Sequence, residues 1–247
     1  MTTAIWARAA LVLLLSAGAV TGATCRAITH EGQGYTVCEA DRKDDLRLFL
    51  DAPDGAPIGT FERLRGQLAE DGQSVSFAMN AGMYHPDRRP VGLYVENGRE
   101  VSGLVTSEGP GNFGLIPNGV FCIGAKAFRV VETRDFAAER PDCQYATQSG
   151  PMLVISGALH PRFLEESDSR YIRNGVGVSA DGSRAYFVIS EGAVNFHSFA
   201  RMFRDALGTP DALYFDGNVS RLYAQELGRD DFGFPMGPIV GLVGPAD

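Results

Sequence analysis

The chain lacks the motifs of the common nucleotide-binding and hydrolytic enzymes. It contains no P-loop, no G-x-G-x-x-G opening a helix, no H-E-x-x-H and no G-x-S-x-G. Gln148-Ser149-Gly150-Pro151 resembles a nucleophile turn, but Pro151 restricts the backbone and no helical pattern follows it. A serine hydrolase is therefore a minor alternative, open only because catalytic triads are recognised by geometry rather than by spacing.

Lysine is nearly absent, and acidic residues outnumber basic ones. The 247 residues include 22 Lys and Arg against 30 Asp and Glu, which gives a formal net charge of -8, and Lys43 and Lys126 are the only lysines. A nucleic-acid surface requires clustered Lys and Arg, so this composition argues against a nucleic-acid partner. Zinc is disfavoured because there is no C-x-x-C and the histidines show no ligand spacing. We expect neither a metal nor a cofactor.

Long hydrophobic runs are also missing, apart from one at the N-terminus. Arg8 precedes the apolar run Ala9–Ser16, and Thr21-Gly22-Ala23 supplies small residues, which is typical of a secretory signal over residues 1–23. The run is too short for a membrane span, so none is expected after processing. We predict a periplasmic or secreted protein in which residues 24–247 form one domain.

Cysteine is scarce, and the four residues fit an oxidising compartment. Cys25 follows the signal closely and raises the alternative of a lipoprotein, but the residues before it do not fit a lipid-attachment motif. Four cysteines allow three pairings, among which the sequence cannot choose rigorously. We favour the local pairs Cys25–Cys38 and Cys122–Cys143.

Short strands joined by Gly-rich turns dominate the pattern. The strongest hairpin signal joins Val91–Val95 to Arg99–Leu104 through Asn97-Gly98. The other predicted strands are Tyr35–Cys38, Leu46–Leu50, Val75–Met79, Gly119–Ile123, Ala127–Val131, Met152–Ile155, Val176–Ser179, Ala185–Ile189 and Ala212–Phe215. This pattern predicts an α+β fold with a twisted, mainly antiparallel or mixed β-sheet built from hairpins and a few packed helices.

Two helices are predicted from apolar spacing. The first covers Phe61–Leu68, with Thr60 as its N-cap. The second begins after the N-cap Asn195, places Phe199 and Phe203 on one face, and stops at Gly208.

Polar residues gather where strand-like runs end. The clusters are Asn80/Gly82/His85/Asp87, Gln148/Ser149/Gly150, Arg173/Asn174/Gly175, Ser190/Glu191/Asn195 and Asp216/Asn218/Ser220/Arg221. Strand ends on one sheet edge can converge, so we expect a shared pocket whose carboxylates, cations and amides suit a substrate that is both polyhydroxylated and anionic. Each cluster alone is more typical of an ordinary turn, and Tyr84, Tyr214 and Phe215 are assigned to the core.

Four segments together resemble the phosphodiester glycosidase domain family, which includes N-acetylglucosamine-1-phosphodiester alpha-N-acetylglucosaminidases. In order, they are MNAGMYHPDRRPVGLYVENG, QSGPMLV, RNGVGVSADG and YFDGNVSRLY, and the likeness runs from about Tyr35 to the C-terminus, closest to a compact bacterial exported branch. Family members typically have Asp-Gly-Gly-Gly-Ser-Ser at the segment Asp216–Arg221 and Asn-Gly-Gly-Phe-Phe at Asn80–Tyr84. Because the first loop lines the presumed pocket, the identity of the sugar does not transfer.

The resemblance implies hydrolysis of a sugar-1-phosphodiester at the anomeric carbon. Asp216 or Glu191 would activate water or stabilise an oxocarbenium-like centre, and His85 would be a proton shuttle. Arg173 or Arg221 would bind phosphate, assisted by the N-terminus of the Asn195 helix. The expected substrate-binding residues are Asn80, Gly82, Ser149, Gly150, Arg173, Asn174, Asn195, Asn218, Ser220 and Arg221.

Two other functions stay open at this point. One is a metal-dependent phosphodiesterase that cuts the P–O bond, with Asp216, Asp87 and Glu191 as ligands. The other is a non-catalytic, exported glycan-binding module. Fold alone does not separate these functions.

Overall fold

The secondary structure consists mainly of short strands. The structure is a computed structural model that describes residues 24–246. Its strands in chain order are β1 (Thr24–His30), β2 (Gln33–Asp41), β3 (Asp45–Phe49), β4 (Gln73–Asn80), β5 (Tyr94–Glu96), β6 (Arg99–Ser102), β7 (Gly119–Ile123), β8 (Phe128–Glu132), β9 (Tyr145–Ser149), β10 (Met152–Ile155), β11 (Ala158–Leu159), β12 (Asn174–Val178), β13 (Arg184–Ser190), β14 (Asp211–Asp216), β15 (Leu222–Ala224), β16 (Arg229–Asp230) and β17 (Ile239–Pro245). The helices are α1 (Phe61–Glu70), α2 (Thr133–Glu139) and α3 (Phe196–Arg201).

The strands form three antiparallel sheets. One has seven strands in the order β1-β2-β13-β12-β14-β10-β11, and the others have five each, β16-β15-β4-β17-β3 and β6-β5-β9-β7-β8. The hairpin pattern of the sequence explains this arrangement, because adjacent antiparallel strands need only short connections. The predicted α+β class is confirmed.

The three sheets enclose a common hydrophobic core. Phe77 of β4, Phe121 of β7 and Phe187 of β13 come from different sheets. The Phe187 ring centroid lies 5.2 Å from that of Phe77 and 5.7 Å from that of Phe121. Aromatic contacts of this kind add to the burial of apolar area and hold the sheets in a fixed relation.

Both predicted helices are present. The Thr60 hydroxyl accepts a hydrogen bond from the Arg63 N–H at 3.2 Å, and Asn195 Oδ1 accepts one from the Ser198 N–H at 2.9 Å, so both N-caps are confirmed. The second helix is α-helical only over α3 and continues as a π-helical turn over Met202–Ala206.

Several elements escaped the sequence prediction. Helix α2 has only Thr133 and Phe136 buried, too few to show a helical period. Strand β17 lies between β4 and β3 despite its glycines. A Cβ at Gly241 would lie 3.2 Å from Val75 Cγ2, so glycine fits the close approach of these strands although it weakens the strand signal. Strands β1, β9, β11, β15 and β16 were also not predicted as strands.

Both favoured disulfide pairs are confirmed. Cys25 and Cys38 are direct partners across β1 and β2, and Cys122 bonds to Cys143 with the Cα atoms 5.5 Å apart. Because the Cys25 sulfur is in a disulfide, it cannot also carry a lipid thioether. The predicted secretory signal, residues 1–23, lies outside the described residues. No helix within residues 24–246 is both long and apolar enough to span a membrane.

Candidate active site

Three strand ends from two sheets meet at one place. Asn174 begins β12 and is the register partner of Asp216, which ends β14 in the seven-stranded sheet. Asn80 ends β4 in a five-stranded sheet and donates from its amide to Asn174 Oδ1 at 3.2 Å. The predicted convergence of polar strand ends therefore holds for Asn80, Asn174 and Asp216.

Asn80 and Asn174 are fully buried and hold backbone groups of neighbouring segments. Asn174 Nδ2 donates to the Asn80 carbonyl at 2.8 Å, and Asn174 Oδ1 accepts from the Asp216 N–H at 3.1 Å. Asn80 Oδ1 accepts from the Arg221 N–H at 2.9 Å. Side chains without exposed surface cannot reach a ligand directly, so their observed role is to position the Asp216–Arg221 loop.

The loop after β14 is fastened at its far end by Ser220. The Ser220 hydroxyl shares its one proton in a three-centre hydrogen bond with the carbonyls of Ile172 and Asp216, each at 2.9 Å. The start of the loop is fixed by Asp216 itself, whose Oδ1 accepts from the Gly217 N–H at 2.6 Å and the Asn218 N–H at 2.8 Å. The loop is thus held in shape by its own polar side chains.

Asp216 is 9% exposed and lies in the wall of a cleft. Burial raises the pKa of its carboxyl above the usual value for aspartate, while the backbone N–H groups of Gly217, Asn218 and Val219 oppose that rise. No Lys or Arg within residues 24–246 forms an ion pair with it. A carboxyl with a raised pKa, held by backbone donors in a cleft, is a candidate for proton transfer or nucleophilic chemistry.

The cleft has a volume of about 630 Å³. It is lined by Met83, Tyr84, Val91, Pro110, Gly111, Asn112, Phe113, Ser169, Tyr171, Tyr214, Asp216, Gly217, Asn218 and Val219. This mixture of aromatic faces, amides and hydroxyls can hold a sugar, because sugars present both apolar C–H faces and hydroxyl groups. Asp216 is the one carboxyl-bearing side chain among these lining residues.

Arg173 lies behind the cleft and is not one of its lining residues. Its guanidinium is fully buried, lies 3.7 Å from the Phe196 ring centroid, and donates to the Val194 carbonyl at 2.9 Å and to the Tyr214 hydroxyl at 3.2 Å. It forms no ion pair with Glu166, Asp168 or any other acidic residue within residues 24–246, and burial lowers its pKa. Arg173 and Asp216 therefore lie on the same side of the molecule, linked through Tyr214, with the arginine out of direct contact with the cleft.

Ser149, Gly150 and Gly82 contribute to close packing rather than to the cleft surface. The Ser149 hydroxyl donates to the Phe215 carbonyl at 3.1 Å. A Cβ at Gly150 would lie 2.5 Å from Asn118 Cβ, and one at Gly82, where φ is +143°, would lie 3.0 Å from Thr147 Oγ1. Residues Gly82, Ser149 and Gly150 therefore let segments approach closely behind the cleft, and none of them lines it.

Three predicted site residues lie elsewhere. Glu191 Oε1 accepts from the Thr36 hydroxyl at 2.6 Å and from Arg229 Nη1 at 2.7 Å. His85 is exposed, in a turn closed by the hydrogen bond from the His85 N–H to the Arg89 carbonyl. Asn195 caps α3 with its oxygen and donates from Nδ2 to the Glu165 carbonyl at 2.8 Å.

The acidic residues weighed as metal ligands are not gathered into one set. Glu191 and Asp87 do not line the cleft that holds Asp216. Within residues 24–246 no group of three or more His, Cys, Asp or Glu side chains is placed to hold a metal ion.

Sequence reasoning assigned Tyr84 and Tyr214 to the core. For Tyr214 this is correct, because it is fully buried in a hydrophobic cluster beneath Gly217, although it also borders the cleft. Tyr84, in contrast, is only half-buried and lines the cleft. Asn112 and Ser169 come from loops with no strand-end signal. Alternation along β14 (Asp211–Asp216) would have placed Tyr214 on the same side of the strand as Asp216.

Comparison with known proteins identifies a matching family and a related bacterial protein. A family model described as phosphodiester glycosidase matches residues 73–232. The uncharacterised protein YigE of Escherichia coli (strain K12) is 36% identical over 191 residues, which cover 77% of this chain and 73% of that protein. The family match includes the strand ends that carry Asn80, Asn174 and Asp216.

Two solved structures share the fold. The catalytic domain of zebrafish N-acetylglucosamine-1-phosphodiester alpha-N-acetylglucosaminidase, auto-inhibited by its pro-peptide, superposes with a TM-score of 0.60 at 12% identity, covering 90% of this chain and 82% of that one. A putative exported protein from Burkholderia pseudomallei gives a TM-score of 0.53 at 12% identity, with coverage of 85% and 74%. At this identity the likeness is one of fold.

Proposed function

Because the chain belongs to the phosphodiester glycosidase family, we propose that it is an exported hydrolase that cleaves a glycosyl phosphodiester at the anomeric carbon. The products are a free sugar and a phosphomonoester. The observation that carries this proposal is the cleft itself. It is large enough for a sugar, and a single carboxyl, that of Asp216, lies among its aromatic and amide side chains.

One carboxyl suits a phosphodiester better than an ordinary glycoside. Most glycosidases need a second carboxyl to protonate a departing alkoxide. A phosphomonoester dianion leaves without that help, because its second pKa is about 6. Glu191 and His85, the other acid–base candidates, lie outside the cleft, which fits a reaction that depends little on a general acid.

Asp216 has the position and environment to act on the anomeric carbon. Its Oδ1 is held by the Gly217 and Asn218 N–H groups, so the carboxyl keeps one orientation while the substrate changes. As a carboxylate it either attacks the anomeric carbon or removes a proton from the attacking water, and it stabilises the positive charge that develops on the sugar ring. Asn218, Asn112 and Ser169 in the cleft wall are available to bind hydroxyls and phosphate oxygens.

Arg173 contributes through Tyr214. The guanidinium donates to the tyrosine oxygen, and Tyr214 lies directly beneath Gly217. The buried cation thereby fixes the floor under the Asp216 loop, and its charge favours an anion above it. In this mechanism Arg173 is a positioning residue, and phosphate contact falls to groups in the cleft wall.

Export is supported by the disulfides. Two bonded pairs persist in an oxidising compartment and are rare in the reducing cytosol. Together with the signal-like segment at residues 1–23, they favour a periplasmic or secreted protein.

Hydrolysis in heavy-oxygen water tests the proposal. The substrates tested are methyl phosphodiesters of different sugar 1-phosphates. The first is the diester of N-acetylglucosamine 1-phosphate, since N-acetylglucosamine is the sugar in the name of the zebrafish structural neighbour. Cleavage at the anomeric carbon places the label in the sugar, whereas P–O cleavage places it in the phosphate and contradicts the proposal.

Variants identify the acting carboxyl. Asp216→Asn should lower kcat by about 10³-fold or more, in the range found for acid–base and nucleophilic groups. Asp211→Asn is the matched control, because Asp211 is at the opposite end of β14, also has a raised pKa, and does not line the cleft. Full turnover by Asp216→Asn would remove Asp216 from the mechanism, and binding without turnover across the panel would favour a glycan-binding module.

A further inference from the structure

A second cavity, of about 500 Å³, lies beside the active-site cleft. Its lining includes Glu62, Arg65, Arg221, Asp230, Asp231 and Phe232. Tyr84 relates the two spaces: it lines the first cleft, and its hydroxyl donates to the carbonyl of Pro235 in the loop that borders the second. Burial raises the pKa of Tyr84; the charge of Asp216 adds to that rise and the charge of Arg221 opposes it, so the phenol lies within electrostatic reach of both.

Arg221 is the unusual group in this second cavity. It is only 9% exposed, and its guanidinium has no hydrogen-bond or ion-pair partner within residues 24–246. A buried cation is costly unless an anion or several acceptors satisfy it. The guanidinium also lies close against Gly233, since a Cβ there would be 2.6 Å from Arg221 Nη2. The site is therefore shaped around an arginine that forms no ion pair within residues 24–246.

The acidic residues of the cavity are engaged elsewhere. Asp230 forms an ion pair with Arg65 at 2.9 Å, and Asp231 forms one with Arg229 at 2.9 Å. Burial lowers the pKa of Arg221, whereas the nearby charge of Asp231 raises it without forming an ion pair. Glu62, in the first turn of α1, is exposed. Because Arg221 has no ion-pair partner among residues 24–246, its guanidinium can bind an anion that arrives with a ligand.

An apolar surface borders the same cavity. Phe232, one of the lining residues, is 95% exposed, and Phe234 nearby is 82% exposed. Two large apolar side chains exposed two residues apart at a cavity rim form an apolar patch, and such patches mark binding surfaces. The cavity consequently combines a cation that has no ion-pair partner among residues 24–246 with an aromatic face.

We propose that this cavity is an aglycone subsite, in which Arg221 binds an anionic group beyond the scissile phosphodiester and Phe232 contacts the apolar part that carries it. This inference rests on the proposed function, since the anomeric carbon must lie at Asp216 and the sugar occupies the cleft around it. The aglycone, which is joined to the sugar through the phosphate, then extends past Tyr84 into the second cavity. The substrate class is a glycosyl phosphodiester whose aglycone has an apolar moiety and a second phosphate or carboxylate.

A binding experiment tests the subsite independently of turnover. Calorimetry with phenyl phosphate and with inorganic phosphate compares the wild type with Arg221→Gln, Arg221→Lys and Phe232→Ala. Arg221→Gln should weaken phenyl phosphate by about tenfold or more, as expected for loss of a charge-assisted contact, and Arg221→Lys should recover part of the affinity. Phe232→Ala should weaken phenyl phosphate and leave inorganic phosphate unchanged. Arg63→Gln, which removes a charge on α1 outside the cavity, is the control.

Kinetics then place the subsite on the aglycone side. Wild type and Arg221→Gln are compared on the benzyl and 4-carboxybenzyl diesters of the same sugar 1-phosphate. Arg221→Gln should lower kcat/KM for the carboxybenzyl diester about tenfold or more relative to the benzyl diester. Equal losses on both diesters, or unchanged phenyl phosphate affinity in Arg221→Gln, would overturn the subsite. Arg221-dependent binding without hydrolysis of either diester would instead refute the proposed function and leave an anion site.

Discussion

Asn80 and Asn174 hydrogen-bond to each other across the junction of two sheets. Asn80 ends a strand of a five-stranded sheet and Asn174 begins one of the seven-stranded sheet, and their amide groups are linked by bonds of 3.0 and 3.2 Å. The same two side chains hold the backbone N–H groups of Asp216 and Arg221. The Asp216–Arg221 loop is therefore positioned by the contact between the sheets.

Removing Asn174 should weaken the fold as well as the site. Asn174→Ala leaves the Asp216 N–H and the Asn80 carbonyl without partners in a dry environment, which costs roughly 2–4 kcal/mol in free energy of unfolding. Urea unfolding of Asn174→Ala, Asn80→Ala and the double variant measures this. We expect the double variant to lose less than the sum of the two single losses, because the residues share a network. Strict additivity would contradict the linkage.

The raised pKa of Asp216 makes a prediction about stability. A carboxyl whose pKa is higher in the folded than in the unfolded protein stabilises the fold below the unfolded value, and that contribution is lost as pH rises through the folded value. Asp216→Asn, whose amide oxygen can still accept from Gly217 and Asn218, should therefore be more stable than wild type at pH 7. The difference should shrink towards about pH 4, near the ordinary aspartate pKa.

A contrasting aspartate checks the sign of this effect. The pKa of Asp205 is lowered to about 2, first by its hydrogen bond with Arg204. Asp205→Asn should be less stable than wild type at pH 7 and approach it only near pH 2, where the wild-type carboxyl protonates. Chemical unfolding across pH measures both variants. The same sign of change at pH 7 in both would contradict the assignment.

Activity should have a simple acid limb. If ionised Asp216 is required and no general acid acts, kcat/KM rises with pH through a pKa above the usual aspartate value and then stays level to about pH 8. A bell-shaped profile with a second ionisation near neutrality would indicate an additional proton donor. Because His85 is exposed and outside the cleft, His85→Gln should leave the profile unchanged.

Gly217 should be required for the shape of the cleft floor. A Cβ at Gly217 would overlap the Tyr214 hydroxyl and lie 3.3 Å from Tyr171 Cβ. Gly217→Ala should therefore raise KM about tenfold by displacing the aromatic floor, with a smaller effect on stability. Gly192→Ala is the control, since a Cβ there would meet nothing within 4 Å. An unchanged KM would show that the floor adapts freely.

The sequence predicted the hairpins more readily than the site. Hairpins are local, so turn residues such as Asn97-Gly98 signal them directly. The convergence of Asn80, Asn174 and Asp216 could be anticipated because polar residues ended predicted strands. Glu191 shows the limit of that reasoning: it directly follows the end of β13, but its carboxylate binds Thr36 and Arg229 instead of facing the cleft. Side-chain partners from distant segments leave no local signal.

The residue type also did not predict which arginine would be buried. Arg173 looked like a phosphate ligand, because arginine suits that role. In the fold its guanidinium is enclosed by Phe196, Tyr214 and two backbone carbonyls. Arg221, in contrast, lines a cavity. Its position there depends on packing against Gly233, a residue distant enough in the fold's loops to leave no signal in the sequence around Arg221.

The placement of β4 in its sheet determines when the site can exist during folding. Both neighbours of β4, β15 and β17, come from beyond residue 220, whereas β4 itself ends at Asn80. A chain emerging from a ribosome or a translocation pore therefore exposes both edges of β4 until those distant segments follow. Pairing over such separations is slow, so catalytic competence should be gained late, after the bulk of the chain has been delivered.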